Sequence, residues 1–186
     1  MKQDLRKLML SKRREMTPAE AGAKSKEAAE KFLESDLFKN AAQIMLYKTL
    51  GNETDTALIA EEAYRKGKKV VLPVTNGETG EITAYLVNSD TRYKKGAFSV
   101  DEPQNCEPAD VNLTDVIIVP GVAFDRYGNR IGFGKGCYDM FLNGVKAVKV
   151  GFCYEFQVLE KIPGEQHDIK MDYIFTEKGM YLCRMK

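Results

Sequence analysis

The sequence predicts an α/β fold, and three observations carry that prediction. Apolar runs of strand length at 42–47, 69–74, 115–119 and 146–152 are separated by stretches with helical periodicity. One of them, K-V-V-L-P-V at 69–74, is apolar without alternation, as a strand buried on both faces requires. The length of 186 residues suits one domain with a core large enough to need neither disulfides nor a structural metal.

Each element has a local reason. Residues 1–15 set Leu5, Leu8 and Met9 at helical spacing among Lys2, Arg6, Lys7, Lys12, Arg13 and Arg14, an amphipathic helix with a basic face that a solvated surface alone would explain. Thr17-Pro18-Ala19-Glu20 is a capping box with proline in the first helical position, so a second helix starts there and packs through Ala21, Ala28, Ala29, Phe32 and Leu33. A strand at 42–47, a loop at 48–56, a helix at 57–66 closed by Gly67, and the strand at 69–74 make a βαβ unit. Residues 82–87 follow the turn-rich N-G-E-T-G and read as an edge or antiparallel strand, while 91–110 is polar and irregular. After the strand at 146–152, residues 155–160 form a turn; D-Y-I-F-T supplies a strand from 172, and 180–183 a last short one.

Composition excludes several function classes. Twenty-eight Lys and Arg against 27 Asp and Glu leave a formal charge of +1, which gives no global attraction to nucleic acid or to an anionic membrane, so any anion site is local. Cys106, Cys137, Cys153 and Cys183 form no C-x-x-C pair and His167 is the one histidine, which argues against zinc and against a disulfide framework. The charged N-terminus and the absence of a membrane-length apolar run make the expected location cytoplasmic. His167 reads as a surface or loop-anchoring residue and takes no functional role.

The stretch 119–142, V-P-G-V-A-F-D-R-Y-G-N-R-I-G-F-G-K-G-C-Y-D-M-F-L, concentrates the candidate chemistry. Glycines at 128, 132, 134 and 136 surround Arg130 and Lys135, so backbone amides and two cations are able to meet an anion. A buried strand at 115–119 runs in and a short helix at 136–142 runs out, aiming its first amides at whatever the loop holds. Neither standard nucleotide fingerprint fits the spacing. On composition alone, a surface loop that needs glycine for its turns is the competing reading.

The order P-G-x-A-F-D-x-x-G-x-R-I-G-x-G-K-G-x-Y-D resembles the signature of the 5-formyltetrahydrofolate cyclo-ligase (methenyltetrahydrofolate synthetase) family. K-x-x-L-R at 2–6, N-E-T-D-T at 52–56 and H-D-I-K-M-D at 167–172 extend the likeness to both ends of the chain. The resemblance implies a three-layer arrangement with a mostly parallel central sheet, similar to the sugar-phosphate isomerase or CoA-transferase-like fold. It also implies an ATP-binding set of Lys2, Arg6, Arg130, Ile131, Gly132, Phe133, Gly134, Lys135, Gly136, Tyr138 and Asp139. Among these, Arg130, Lys135 and Tyr138 take the catalytic roles. Leu50, Glu53, Phe98, Cys137 and Tyr138 match the folate-binding positions, and Asp139 with Asp172 the magnesium ligands.

Each assignment has a structural alternative. Glu53 and its threonine-rich turn suit helix capping, Leu50 suits the core, Phe98 suits a loop anchor, and Asp172 suits a turn at a strand entrance. In favour of ligand roles, a carboxylate at 53 is able to accept the N–H groups of a pterin, whose flat face suits Leu50 and Phe98. One departure from the signature is plain: the family has two tyrosines before the closing aspartate, and this chain has Cys137-Tyr138. A thiol at that helix start is a candidate for enhanced reactivity.

The implied reaction uses ATP as co-substrate and Mg2+ as cofactor to close 5-formyltetrahydrofolate to 5,10-methenyltetrahydrofolate through a phosphorylated formyl intermediate. The expected partners are these small molecules, with no nucleic acid and no membrane, in a monomer or weak homodimer. Competing readings are a divergent phosphate-binding relative with another substrate and a non-catalytic folate- or nucleotide-binding protein.

Overall fold

In the computed structural model, which describes residues 1–165 and 167–184, three helices precede a run of strands that two further helices interrupt. In order they are α1 (Lys2–Glu15), α2 (Pro18–Glu34), α3 (Asp36–Asn40), β1 (Gln43–Met45), α4 (Ala57–Arg65), β2 (Lys69–Thr75), β3 (Ile82–Val87), β4 (Tyr93–Lys95) and β5 (Asp101–Pro103). There follow β6 (Val116–Val119), β7 (Ala123–Asp125), β8 (Arg130–Ile131), α5 (Cys137–Leu142), β9 (Val148–Phe152), β10 (Val158–Leu159), β11 (Tyr173–Phe175) and β12 (Met180–Leu182).

A seven-stranded sheet runs in the order β12-β11-β9-β6-β1-β2-β3. Its five inner strands are parallel, and β12 and β3 pair antiparallel at the two edges. The register explains the uninterrupted apolar runs. Ile44, Leu46, Val70 and Ile118 point to one face, where they join Phe32 of α2, Phe38 of α3 and Ile59 of α4. Their chain neighbours Met45, Val71, Ile117 and Val119 point to the other, where they meet Phe124 of β7 and Leu142 of α5. Successive side chains alternate across a strand, so both alternations must be apolar when both faces are covered. Phe32 meets Phe38 and Phe175 edge-on at 5.8 and 5.3 Å between ring centroids, tying two helices to the sheet.

The helices begin and end where their local chemistry dictates. Thr17 Oγ1 accepts the Glu20 amide while Glu20 Oε2 accepts the Thr17 amide, so the capping box at α2 is complete. Gly67 follows α4 with φ of +68°, the left-handed turn that lets the chain reverse into β2.

A second, three-stranded sheet, β10-β7-β8, departs from the expectation of one uninterrupted glycine loop. Residues 123–131 form a hairpin, β7 with β8, and β10 adds in parallel to β7. This small sheet carries its own core of Val122, Ala123, Ile131 and Ile162, closed by Met9, Leu5 and Leu10 of α1. Leu8 was expected on that face but is half exposed at 50%. It lies about 100° round the helix from Met9, so one residue of phase separates burial from solvent. Two other stretches are more regular than expected: 91–110 contains the antiparallel pair β4-β5, and 155–160 a single 3-10 turn followed by β10.

Candidate active site

The glycine stretch holds its anion-binding candidates through contacts with α1. Arg6 Nε donates to the Gly132 carbonyl at 2.8 Å, which locks the N-terminal helix onto the loop. Gly134, at φ of +107°, turns toward that guanidinium; a Cβ there would lie 3.6 Å from Arg6 Cζ in a backbone conformation that side chains avoid. At Gly132 a Cβ would meet Arg130 Nη1 at 2.9 Å, so a side chain would push into the second guanidinium. The glycines therefore let two arginines close on the backbone.

Arg130 is buried, at 8% exposure. Its Nη2 pairs with Asp139 Oδ2 at 3.0 Å and Nη1 donates to the Pro120 carbonyl at 3.3 Å, while its buried Nε has no hydrogen-bond partner. The cation also lies 5.7 Å from the centre of the Tyr138 ring. Asp139 is held on its other side, where Oδ1 accepts the Ile169 amide at 3.2 Å. Phe133, Gly134, Lys135 and Gly136 are exposed, whereas Ile131 is buried beneath them in the small sheet's core. Exposed amides above a buried cation, in a loop already braced by Arg6, form a surface to which a phosphate group is chemically suited.

Lys2 is at one turn's distance from Arg6. Its Nζ bonds Asp168 Oδ2 at 2.8 Å and Glu165 Oε1 at 3.0 Å. Burial opposes its charge, but these two acids outweigh burial and raise the Lys2 pKa, and Lys2 in turn holds Asp168 below the usual carboxylate range against burial's opposing pull. His167 is exposed on this turn with Nε2 3.2 Å from Glu165 Oε2, a surface position in keeping with its having no assigned role.

Asp172 is placed differently from Asp139. Its Oδ2 accepts the Lys149 amide at 2.7 Å, at the entrance of β9 and β11, where it caps a strand. The carboxylate whose chain neighbour touches Asp139 is Asp168, next to Ile169. Both Asp139 and Asp168 are oxygen donors of the hard kind that magnesium takes, beside a loop shaped for phosphate.

The other half of the site descends from β1. Glu53 lies in the loop between β1 and α4 with 8% exposure, and its Oε2 accepts the Leu50 amide at 3.1 Å, so the two expected folate positions are joined directly. Leu50 itself is 38% exposed, at the mouth of the loop. Buried Tyr154 donates its hydroxyl to the Glu53 carbonyl at 3.2 Å, fixing the backbone from beneath. The buried hydroxyl of Tyr47 donates to the Thr54 carbonyl.

Arg13 was read as one of several solvated cations, and the structure corrects that. It is 4% exposed, with Nη1 4.0 Å from Glu53 Oε1 and Nε donating to Asn52 Oδ1 at 3.3 Å. Asn52 Nδ2 donates back to the Arg13 carbonyl, so helix and loop hold each other reciprocally. A signal existed: at 100° per residue Lys2, Arg6, Met9 and Arg13 fall within about 60° of one another, so the burial of Met9 implies that of Arg13.

Glu53 feels two opposed effects. An opposite charge at 4.0 Å is worth about 4 kcal/mol at an effective dielectric constant near 20, against several kcal/mol for taking a carboxylate out of water. Burial wins: the Glu53 pKa is raised, with the Leu50 amide and Arg13 only moderating the rise. The same charge reaches Tyr138, whose hydroxyl pKa is raised chiefly by burial and then by Glu53, while Arg130 lowers it. Tyr138 is thus within electrostatic range of both Glu53 and Arg130.

Phe98 and Lys135 meet at the rim, with Lys135 Nζ 4.2 Å from the ring centre. Phe98 is 47% exposed and, like Ser99, has positive φ, 56° and 60° respectively. Such backbone costs of order 1 kcal/mol per residue and collects where a loop is shaped for contact with a ligand. Cys137 is half-buried, packed in the sheet's second core against Gly80, where a Cβ would lie 3.2 Å from its sulfur. The thiol is thus less open than the sequence suggested.

Comparison with known proteins gives consistent matches over nearly the whole chain. The model of the 5-formyltetrahydrofolate cyclo-ligase family matches residues 1–177. The 5-formyltetrahydrofolate cyclo-ligase of Escherichia coli K12 is 29% identical over 181 residues, covering 94% of this chain and 99% of its own. The solution structure of Aquifex aeolicus 5,10-methenyltetrahydrofolate synthetase aligns at 37% identity and a TM-score of 0.87, covering 100% of this chain and 94% of that one. The structure of a 5,10-methenyltetrahydrofolate synthetase from Mycoplasma pneumoniae aligns at 25% identity and a TM-score of 0.75, covering 95% of this chain and 98% of that one.

Proposed function

We propose, from the premise that this chain belongs to the 5-formyltetrahydrofolate cyclo-ligase family, that it closes 5-formyltetrahydrofolate to 5,10-methenyltetrahydrofolate with ATP as co-substrate. The observation that carries this reading is the position of Tyr138. Its hydroxyl answers electrostatically to Glu53 and its ring lies over against Arg130, so one residue joins the folate candidates to the phosphate candidates.

The chemistry asks little covalent help of the protein. The formyl oxygen attacks the terminal phosphorus of ATP, the bond to the bridging oxygen breaks, and ADP leaves. The anilino nitrogen then attacks the activated formyl carbon and loses its proton, and the C–O bond breaks with release of phosphate. Both steps depend on position and on neutralising charge that spreads over phosphate oxygens.

The chain's own residues suit those tasks. Arg6 and Arg130 flank the glycine turn, Lys2 lies a helical turn away, and Lys135 stands on the exposed rim. Glu53 would accept N–H groups of the pterin, with Leu50 and Phe98 against its faces. Tyr138 would separate the two substrates and keep bulk water from between them. Gly132, Phe133, Gly134 and Gly136 present the backbone, and Ile131 anchors it in the core beneath.

Asp139 would hold magnesium with Asp172, whose Oδ2 also accepts the Lys149 amide, while Asp168 adjoins Ile169, the residue whose amide bonds Asp139. When bound, magnesium would supply positive charge that neutralises phosphate oxygens. Cys137 removes one aromatic surface from the folate side and leaves the phosphate side unchanged.

The proposal takes small molecules as partners and a cytoplasmic monomer or weak homodimer as the working form; separately, among the described residues no helix is long and apolar enough to cross a membrane. The test mixes the purified protein with 5-formyltetrahydrofolate and Mg-ATP and follows the near-ultraviolet absorbance of the methenyl product. Product that requires both ATP and magnesium is expected. A folded protein that binds ATP and forms no product would instead favour a relative with another substrate or a binding protein.

A further inference from the structure

We propose that Arg13 is a positioning residue for the folate substrate, holding the Glu53 carboxylate in place from a buried seat on α1. This rests on the functional reading above, in which Glu53 accepts hydrogen bonds from the pterin.

The geometry leaves one end of the Arg13 guanidinium without an ordinary structural partner. Its guanidinium is 4% exposed, yet Nη1 has no hydrogen-bond partner and stands 4.0 Å from Glu53 Oε1. Leaving a buried charged donor unmade is costly, and a fold under pressure for stability alone would fill that site with an apolar side chain. The nitrogen is sealed from water, so the atoms able to satisfy it are Glu53, moving in by about an ångström to reach bonding distance, or a group that enters with the ligand. The rest of the guanidinium is fixed, since Nε bonds Asn52 Oδ1 and Asn52 bonds the Arg13 carbonyl.

Glu53 is thereby gripped from two directions, by the Leu50 amide on Oε2 and by Arg13 facing Oε1. The other titratable groups around it are the phenols of Tyr47 and Tyr138, and Tyr47 is already committed to the Thr54 carbonyl. Arg13 is the cation that acts on Glu53. Arginine suits this seat better than lysine would, because it stays charged when buried and its planar fork keeps one nitrogen on Asn52 while another faces the acid.

The arrangement also places both substrates on one element. Lys2 and Arg6 serve the phosphate side of α1, and Arg13 the folate side about two turns further on, on the same face. The helix that touches ATP thus also sets the acid that reads the pterin.

The experiment is a ligand-by-ligand comparison of R13M, R13K, E53Q and the double variant R13M/E53Q. Calorimetric titration with 5-formyltetrahydrofolate and, separately, with Mg-ATP gives the affinities, and circular dichroism gives the folded fraction. R13M is expected to weaken 5-formyltetrahydrofolate at least roughly 10-fold while Mg-ATP changes by less than roughly 2-fold, as loss of one charge-assisted contact implies. R13K should recover part of the loss, and R13M should add nothing once Glu53 is already glutamine. Equal weakening of both ligands, or a loss that persists undiminished in the E53Q background, would overturn the proposal. If R13M does not fold, R13K alone and in the E53Q background carries the same cycle, with a smaller selective loss expected. Wild-type protein that fails to bind 5-formyltetrahydrofolate would overturn the functional reading and this one together. Wild-type binding that the Arg13 variants leave intact would overturn only this one.

Discussion

The two loops that meet at Tyr138 are built in opposite ways. Residues 133–136 are exposed, rich in glycine, and braced from outside by Arg6 and from beneath by Arg130. In the loop between β1 and α4, Glu53, Thr54 and Thr56 are buried; Thr49 bonds Asp55, the Leu50 amide bonds Glu53, Asn52 bonds the Arg13 carbonyl, Ser25 accepts the Asp55 amide and Tyr154 bonds the Glu53 carbonyl. On the proposed function, the first would receive an anion and the second would offer a carboxylate set in place in advance. A polyphosphate brings its own charge and needs cations and amides around it, whereas a flat heterocycle needs a fixed acceptor at one point. Substitutions in the two loops should therefore fail differently.

The largest effect is expected at Arg130. R130A should lower kcat by roughly 10² to 10³, equivalent to about 2.7 to 4 kcal/mol of transition-state stabilisation, if the guanidinium neutralises the transferring phosphate as an oxyanion donor does. Its melting temperature should fall far less than that loss implies. A folded R130A with normal turnover would remove the phosphate side from the comparison. On the folate side, E53Q should raise the KM for 5-formyltetrahydrofolate by roughly 10-fold or more and leave that for ATP nearly unchanged. Parallel changes in both constants would mean that the loops do not divide the substrates.

Smaller effects sharpen the contrast. G134A puts a side chain at φ of +107° against Arg6, and should cost about 1 kcal/mol of stability and raise the KM for ATP, readable together in urea unfolding and initial rates. Glu53 should show in the pH dependence of stability. Its folded pKa is raised above the ordinary value of 4.5, so the native state holds that proton more tightly than the unfolded chain does. The contribution is fully present below 4.5 and is lost as pH rises through the raised folded value. The stability of wild type relative to E53Q should thus decline upward across that window in urea titrations at stepped pH, and a flat difference would contradict the burial argument. K2A is expected to cost least, about 1 kcal/mol or less, because the pair with Asp168 and Glu165 is partly solvated.

How much of this was legible in the sequence follows from the range of the interactions. β1, β2, β6, β9 and β11 were readable because strands covered on both faces are mostly apolar, with polar residues such as Gln43, Lys69 and Lys149 confined to positions near their ends. The same holds for α2, whose capping box is complete within four residues. The small sheet was not readable: β8 and β10 are two residues each, and β10 pairs with β7 across more than thirty positions, which leaves no local period. The pair β4-β5 escaped for a similar reason, being three residues a side with mostly polar, partly exposed side chains.

Within the candidate site, Arg6, Arg130, Lys135 and Tyr138 are proposed from their spacing in a signature, and the structure adds what spacing lacks. It adds the partner of each charge. Asp172 looked equivalent to Asp139 in sequence, yet its carboxylate caps Lys149 while Asp139 joins Arg130 and Ile169. Arg13 sat in a run of basic residues whose members differ only by helical phase. One face of α1 is sealed against Asn52 and Glu53 and the other is in water, and a basic run does not declare which of its members is which.

The central claim is that the open loop and the fixed carboxylate serve one coupled reaction. Its most direct test is the amount of ADP released for each 5,10-methenyltetrahydrofolate formed, measured in the same mixture with limiting 5-formyltetrahydrofolate. One ADP per product, with negligible ADP when the folate is omitted, is the predicted result. Product without ADP, or ADP release that ignores the folate, would contradict it.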